Sequence, residues 1–163
     1  HQRGVKTIWL VGGLPNRLAA ARSLGASETI DYHTLLSAGI AGRSTLLPGS
    51  FPVIFEASGS PDSIKSAFDL ASHGGRILIL GDYEDARASF LWNDLLHREI
   101  HISGSNASAG AWLTAVRIAL DGGLPLENLI THRLPYTHYA EAVRLTGQQK
   151  DQCIKVLLDW TSG

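Results

Sequence analysis

The sequence has no methionine and a single cysteine, Cys153. One thiol excludes an internal disulfide and a cysteine-rich zinc site, and it fits a reducing, cytoplasmic compartment. Neither sign of charge is in excess: 14 Lys and Arg stand against 15 Asp and Glu, a formal net charge of −1. That balance argues against nucleic acid or an anionic membrane surface as the main partner. No apolar run approaches the roughly 20 residues of a membrane span, and no secretory pattern opens the chain. Charge runs, low-complexity tracts and repeats of solenoid length are also missing. Opening at His1 and lacking Met, the chain is expected to be cut from a longer one. Its 163 residues leave room for one α/β domain with a sizeable core.

What is there is organised around Phe51–Asp82, FPVIFEASGSPDSIKSAFDLASHGGRILILGD. Pro52–Glu56 is mostly apolar and rich in β-branched and aromatic residues, so it reads as a strand ended by Gly59. Ser60 and Pro61 supply an N-cap and an N1 proline for a helix. Ile64, Ala67, Phe68 and Ala71 fall at i, i+3, i+4 and i+7 on one face. Gly74 and Gly75 stop that helix, and Arg76–Leu80 reads as a strand buried on both faces. A helix between two such strands is a right-handed crossover in a parallel sheet. Ligands of such sheets bind beyond the carboxyl ends of the strands, here Ala57–Gly59 and Gly81–Asp82.

The flanks continue the alternation. Lys6–Val11 predicts a strand, and Pro15 and Asn16 open a helix with Leu18, Ala21 and Leu24 inward, closed by Gly25 at C′. Glu28–Asp31 is a short strand; Thr34–Leu47 is ambiguous, weakened as a helix by Gly39 and Gly42. Phe90–Arg98 predicts a helix, Glu99–Ser103 a strand and Ala111–Leu120 an apolar helix. Leu129–Leu134, Thr137–Leu145 and Ile154–Leu158 follow as strand, helix and strand. The pattern is that of an α/β doubly wound parallel sheet.

Several stretches together resemble the medium-chain dehydrogenase/reductase superfamily, specifically its zinc-dependent alcohol, polyol and threonine dehydrogenases. NRLAAARSLGASETIDY resembles the helix and strand after that family's second Rossmann strand. VIFEASGSPDSIKSAFDLASHGGRILILG resembles its fourth strand, helix and fifth strand. REIHISGS resembles the sixth strand, and LITHRLPYTHYAEAVRL with IKVLLD the return toward the catalytic domain. The resemblance implies a Rossmann-like fold, incomplete at its N-terminal strand and glycine-rich turn. It divides the chain into a partial dinucleotide-binding domain over residues 1–128 and a C-terminal segment over residues 129–163. Pro52 departs from the family's Asp at the opening of the fourth strand, and Tyr32–Ser50 carries no family motif.

The family's zinc ligands, first Rossmann strand and G-x-G-x-x-G turn have no counterpart in the sequence. In the strand order 3-2-1-4-5-6 the first strand lies at the centre of the sheet. About five buried apolar side chains there, at roughly 1.5–3 kcal/mol each, would contribute about 7–15 kcal/mol. That matches the whole stability of a typical domain, about 5–15 kcal/mol. The chain is therefore expected to be part of a larger enzyme.

By resemblance the cofactor is NAD or NADP, with zinc expected only in the catalytic domain outside this sequence. The family's ribose-gripping acid aligns at Gly12, and Arg17 or Arg22 would offer charge to a 2′-phosphate; a plain turn glycine and solvated arginines are the other reading. Ser58 and Gly59 resemble the loop lining the adenosine side. Leu80, Gly81 and Asp82 resemble the fifth-strand end beside the nicotinamide, and Ser105 and Asn106 the residues approaching its carboxamide. Lys155 stands where the family often has a base reaching the pyrophosphate; a solvated strand lysine is the alternative. The implied activity is oxidation of a small alcohol or polyol by hydride transfer to the nicotinamide. A non-catalytic dinucleotide-binding or interaction module, and a zinc-free quinone or enoyl reductase, are the rival readings. Glu99–Ser103 is expected at a sheet edge where family dimers pair, implying a homo-oligomer.

Other features point to ordinary roles. His97 and His101 are not an H-E-x-x-H pair, and Asp82, Glu84 and Asp85 read as a solvated turn. GSNASAG at Gly104–Gly110 is a weak anion cradle, and Ser58 lacks the context of a hydrolase nucleophile. Cys153, Trp112 and Leu113 are expected in core or interface packing.

Overall fold

A computed structural model describes residues 4–37, 49–148 and 151–161. Among them lie seven strands, every ladder of which is parallel. The contacts divide the chain into two compact units, one of residues 1–37 with 113–163 and one of residues 38–112.

In the first unit β1 (Trp9–Gly12) pairs with β2 (Glu28–Asp31) through α1 (Pro15–Ser23). The β1 strand starts three residues later than Lys6, the expected start, and ends one later. Pro15 sits at the first turn of α1, where its missing N–H costs nothing. The helix ends as its glycine requires. Gly25 has φ +103°, its N–H bonds the carbonyl of Arg22, and Ala26 bonds Ala21 in a Schellman closure. A short helix, α2 (Tyr32–Ser37), overlaps the start of the ambiguous Thr34–Leu47 stretch, whose residues 38–47 lie outside the described residues. The same unit holds α5 (Trp112–Asp121, begun by the last residue of the other unit). Next come β6 (Ile130–Pro135), α6 (Tyr139–Gln148) and β7 (Lys155–Asp159), with β6 paired to β7. Ala142, Leu145 and Cys153 are buried there, so the thiol is a core group. Trp112 and Leu113, expected in packing, are exposed at 68% and 72%. The apolar face of α5 has no buried residue among those described.

In the second unit β3 (Phe51–Glu56), α3 (Pro61–Leu70) and β4 (Ala71–Ile79) form the expected crossover. After α4 (Trp92–His97), β5 (His101–Gly104) pairs with β4, giving the order β3-β4-β5. Ile64, Ala67, Phe68 and Ala71 are all buried, as their spacing requires, and with Ile77 and Ile100 they form one core. Phe68 stacks on Phe90 with centroids 4.4 Å apart. β4 is not buried on both faces: Ile77 is buried, Leu78 half-buried and Leu80 beyond it exposed. Val53 and Phe55 of β3 are also exposed, because α3 covers only one face of this ladder.

Two details differ from the expectation at the start of β4. The helix ends at Leu70, because Ala71 already has extended backbone (φ −63°, ψ 139°) and pairs with Phe51. The ladder then slips between Phe51 and Val53, at Pro52, which has no N–H to offer it. Ser60 holds the N-cap position of α3, but its side chain makes no capping bond. Ser63 acts in reverse, its hydroxyl reaching the Ser60 carbonyl at 2.6 Å.

Candidate functional site

β3, β4 and β5 run side by side, so their carboxyl ends open at one edge. Leu80, Gly81 and Asp82 leave β4 there, and Ser105 and Asn106 leave β5; together they line a crevice of about 270 Å³. The N–H of Ser105 bonds the carbonyl of Ile79 at 3.0 Å, which fixes the mouth of the crevice to the sheet. Gly104 just before it has open space where a Cβ would lie.

Ser58 and Gly59, which follow β3, meet the end of β4 backbone to backbone. Gly59 has φ +70°, and a Cβ on it would lie 2.1 Å from the carbonyl oxygen of Asp82. A Cβ on Gly81 would lie 2.3 Å from the nitrogen of Gly59 and 2.7 Å from Oε2 of Glu56. Both positions therefore require glycine for contact, and Gly59 for conformation as well. The structure thus brings Ser58, Gly59, Leu80, Gly81, Asp82, Ser105 and Asn106 to one strand-end edge.

Beneath this junction sits Glu56, buried to 4% exposure. Its main-chain oxygen accepts from the N–H groups of Leu80 and Gly81 at 2.7 and 3.1 Å. Its Oε1 accepts from the Ser58 N–H at 2.8 Å and lies 2.6 Å from the hydroxyls of both Ser58 and Ser63. Oε2 accepts from the Tyr83 hydroxyl at 2.7 Å and, at 3.4 Å, from the Gly59 N–H. Burial alone would push the carboxyl up. The bonds from Ser58, Ser63 and Tyr83 outweigh it and hold the pKa at about 2. Burial and the facing carboxylate push the Tyr83 phenol up to about 12. By sequence Glu56 is simply the last residue of a mostly apolar strand. The signal available was a carboxylate on a strand end followed at once by Ser58, Gly59 and Ser60.

Gly12, Arg17 and Lys155 lie in the other unit. Gly12 ends β1, and Leu18 Cδ2 lies 3.3 Å from where its Cβ would be. Arg17 is exposed on the first turn of α1, and its N–H bonds Asn16 Oδ1. Arg22 lines a hollow of about 260 Å³ with Leu18, Thr29 and Asp31. The neighbourhood of Gly12 nevertheless contains an acid, since Asp31 of β2 is its register partner. One oxygen of Asp31 accepts the His33 N–H at 2.9 Å. Lys155 opens β7 opposite Ile130, with its side chain exposed.

Among the described residues no group of three or more His, Cys, Asp or Glu side chains is placed to hold a metal ion. These residues do not fit zinc. The strand-end crevice does fit part of a dinucleotide: it is lined by the polar Asp82, Ser105 and Asn106 with Leu80 and Gly81, and it lies at the carboxyl ends of parallel strands.

Comparison with known proteins agrees with this geometry. The family model described as zinc-binding dehydrogenase matches residues 1–121. L-threonine 3-dehydrogenase of Saccharopolyspora erythraea is 29% identical over 97% of this chain and 45% of its own length. A short chain alcohol dehydrogenase of Escherichia coli CFT073, solved with NADH, superposes with a TM-score of 0.79 and 25% identity. That alignment covers 96% of this chain and 45% of the other. A protein of Sinorhizobium meliloti 1021 solved with NADP gives a TM-score of 0.76 at 25% identity, over 86% of this chain and 42% of the other. The chain thus spans less than half the length of the relatives it matches.

Proposed function

Because the chain belongs to the zinc-binding dehydrogenase family, we propose that it supplies the cofactor-binding part of an NAD(P)-dependent oxidoreductase acting on a small alcohol or polyol. The observation that carries this reading is the convergence of Ser58–Gly59, Leu80–Asp82 and Ser105–Asn106 on one edge of parallel strand ends. In this reading the nicotinamide, when bound, takes up a hydride. The chain's own residues orient it: the backbone of Leu80–Asp82 forms one wall, and Asn106 offers an amide with donors and an acceptor to a carboxamide. Gly12 and Arg17 are assigned to the adenosine ribose and Lys155 to the pyrophosphate on the family resemblance alone. Residues 129–163 are read as the segment returning to the catalytic domain. Asp31 pairs with Gly12 and shares a hollow with Arg22, so the choice between NAD and NADP is assigned to Asp31 against the nearby positive charge.

The test is titration of the full-length protein with NADH and NADPH, followed by nicotinamide fluorescence. Micromolar binding of either supports the reading; no binding of both at millimolar concentration overturns it. Asp31→Asn is expected to shift preference toward NADPH by several-fold, read as the ratio of the two dissociation constants. A homo-oligomer formed through the β5 edge, which has β4 as its one partner among described residues, belongs to the same proposal. Light scattering that finds a monomer of the full-length protein sinks that part. A cytosolic location rests on Cys153, a lone, buried and free thiol.

A further inference from the structure

We infer that Glu56 is a positioning residue: its ionised carboxylate locks the Ser58–Gly59 turn against Gly81–Asp82 and so sets the shape of the cofactor crevice. The inference rests on the dinucleotide reading above and adds to it a residue that contacts no ligand. Each carboxylate oxygen meets a backbone N–H, that of Ser58 on Oε1 and that of Gly59 on Oε2, and the hydroxyls of Ser58, Ser63 and Tyr83 are placed to donate to them as well. A hydroxyl carries one proton, so Ser63 can serve Glu56 or the Ser60 carbonyl but not both. The site therefore calls for an acceptor-only group with two oxygens, which is a carboxylate and not an amide. Its donors come from three places that must stay in register: the turn after β3, the first turn of α3 and the segment after β4. The main-chain oxygen of the same residue holds Leu80 and Gly81, two of the crevice walls. No other described side chain is bonded both to the turn after β3 and to the segment after β4.

The chemistry decides which substitutions inform. In Glu56→Gln the amide NH2 must replace Oε1 or Oε2 and so turn toward the backbone N–H of Ser58 or of Gly59, donors that cannot reverse as the hydroxyls can. The turn is then expected to shift away from Gly81 while the core of Phe68 and Ile77 stays intact. The experiment measures NADH and NADPH dissociation constants of full-length wild type and Glu56→Gln, well below the unfolding midpoint of each, together with those midpoints. The expected result is a roughly tenfold or greater weakening of the preferred cofactor in a protein that is fully folded. Unchanged affinity with a lowered midpoint means that Glu56 serves stability alone, and overturns the inference. If Glu56→Gln does not fold, Tyr83→Phe and Ser63→Ala decide, each removing one donor and leaving the charge. Each is expected to weaken binding several-fold, and wild-type affinity in both overturns the inference. Failure of wild type to bind either dinucleotide is a different outcome, which removes the cofactor reading itself and this inference with it.

Discussion

At the residue scale the informative side chains are charged ones inside or against the core. Glu56 titrates at about 2 in place of its ordinary 4.5. A carboxyl with a depressed folded pKa stabilises fully above its unfolded value and loses that contribution as pH falls toward the folded one. Stability should therefore fall between about pH 4.5 and 2, by about 3 kcal/mol at roughly 1.4 kcal/mol per unit. Urea unfolding at stepped acid pH checks this, and Glu56→Gln should lack that part of the slope. Arg98 explains a second feature, the basic residue opening the REIHISGS stretch. Its guanidinium donates to the Phe68 carbonyl at 2.8 Å and also to the Ala71 carbonyl, at the C-terminal end of α3. Positive charge there meets the negative end of the helix, and each bond to a charged group contributes about 1.5–3 kcal/mol. Arg98→Ala is expected to lower unfolding free energy by about 2–4 kcal/mol, with Arg98→Lys recovering part because it lacks the fork. Denaturant midpoints with an unchanged m-value would check both.

At the element scale α3 and its two strands carry the fold of the second unit. Phe68, at 1% exposure and stacked on Phe90, is the anchor. Phe68→Ala should cost about 3–5 kcal/mol, as large core truncations do. The turn between β3 and α3 is as restricted as the core. Gly59→Ala puts a methyl 2.1 Å from the Asp82 carbonyl at φ +70°. It should both destabilise and abolish dinucleotide binding, whereas Gly74→Ala meets only conformational strain, since nothing lies within 4 Å there. Gly74→Ala should cost about 1 kcal/mol and leave binding unaltered. If the two variants behave alike, backbone contact at Gly59 is not what the crevice depends on. The sequence places the stop of α3 at Gly74 and Gly75, beyond its observed end at Leu70, because Ala71 fits both a helical apolar face and a strand. Its pairing with Phe51 decided the matter.

At the scale of the whole molecule, ladder β1-β2 and ladder β3-β4-β5 are separate among the described residues. Strand side chains such as Val11, Val53 and Phe55 remain exposed at 46%, 52% and 64%. No helix among the described residues is long and apolar enough to cross a membrane. The family assignment and the parallel strand ladders thus agree.

Sequence alone determined what depends on local chemistry. Helix starts at Pro15 and Pro61, the closure at Gly25 and the buried stripe of α3 follow from dihedral limits and from 3.6-residue spacing. The strand-end positions of Ser58–Gly59, Leu80–Asp82 and Ser105–Asn106 were equally legible, because turn residues interrupt apolar runs there. Tertiary structure decided what depends on partners distant in the chain. Glu56 reads as a strand residue until Tyr83, 27 positions away, and Ser63 deliver their hydroxyls to it. Gly12 reads as stripped of acid until the β1-β2 register sets Asp31 beside it. A carboxylate becomes a buried, ionised group only through the donors that surround it, and sequence spacing does not encode where those donors meet.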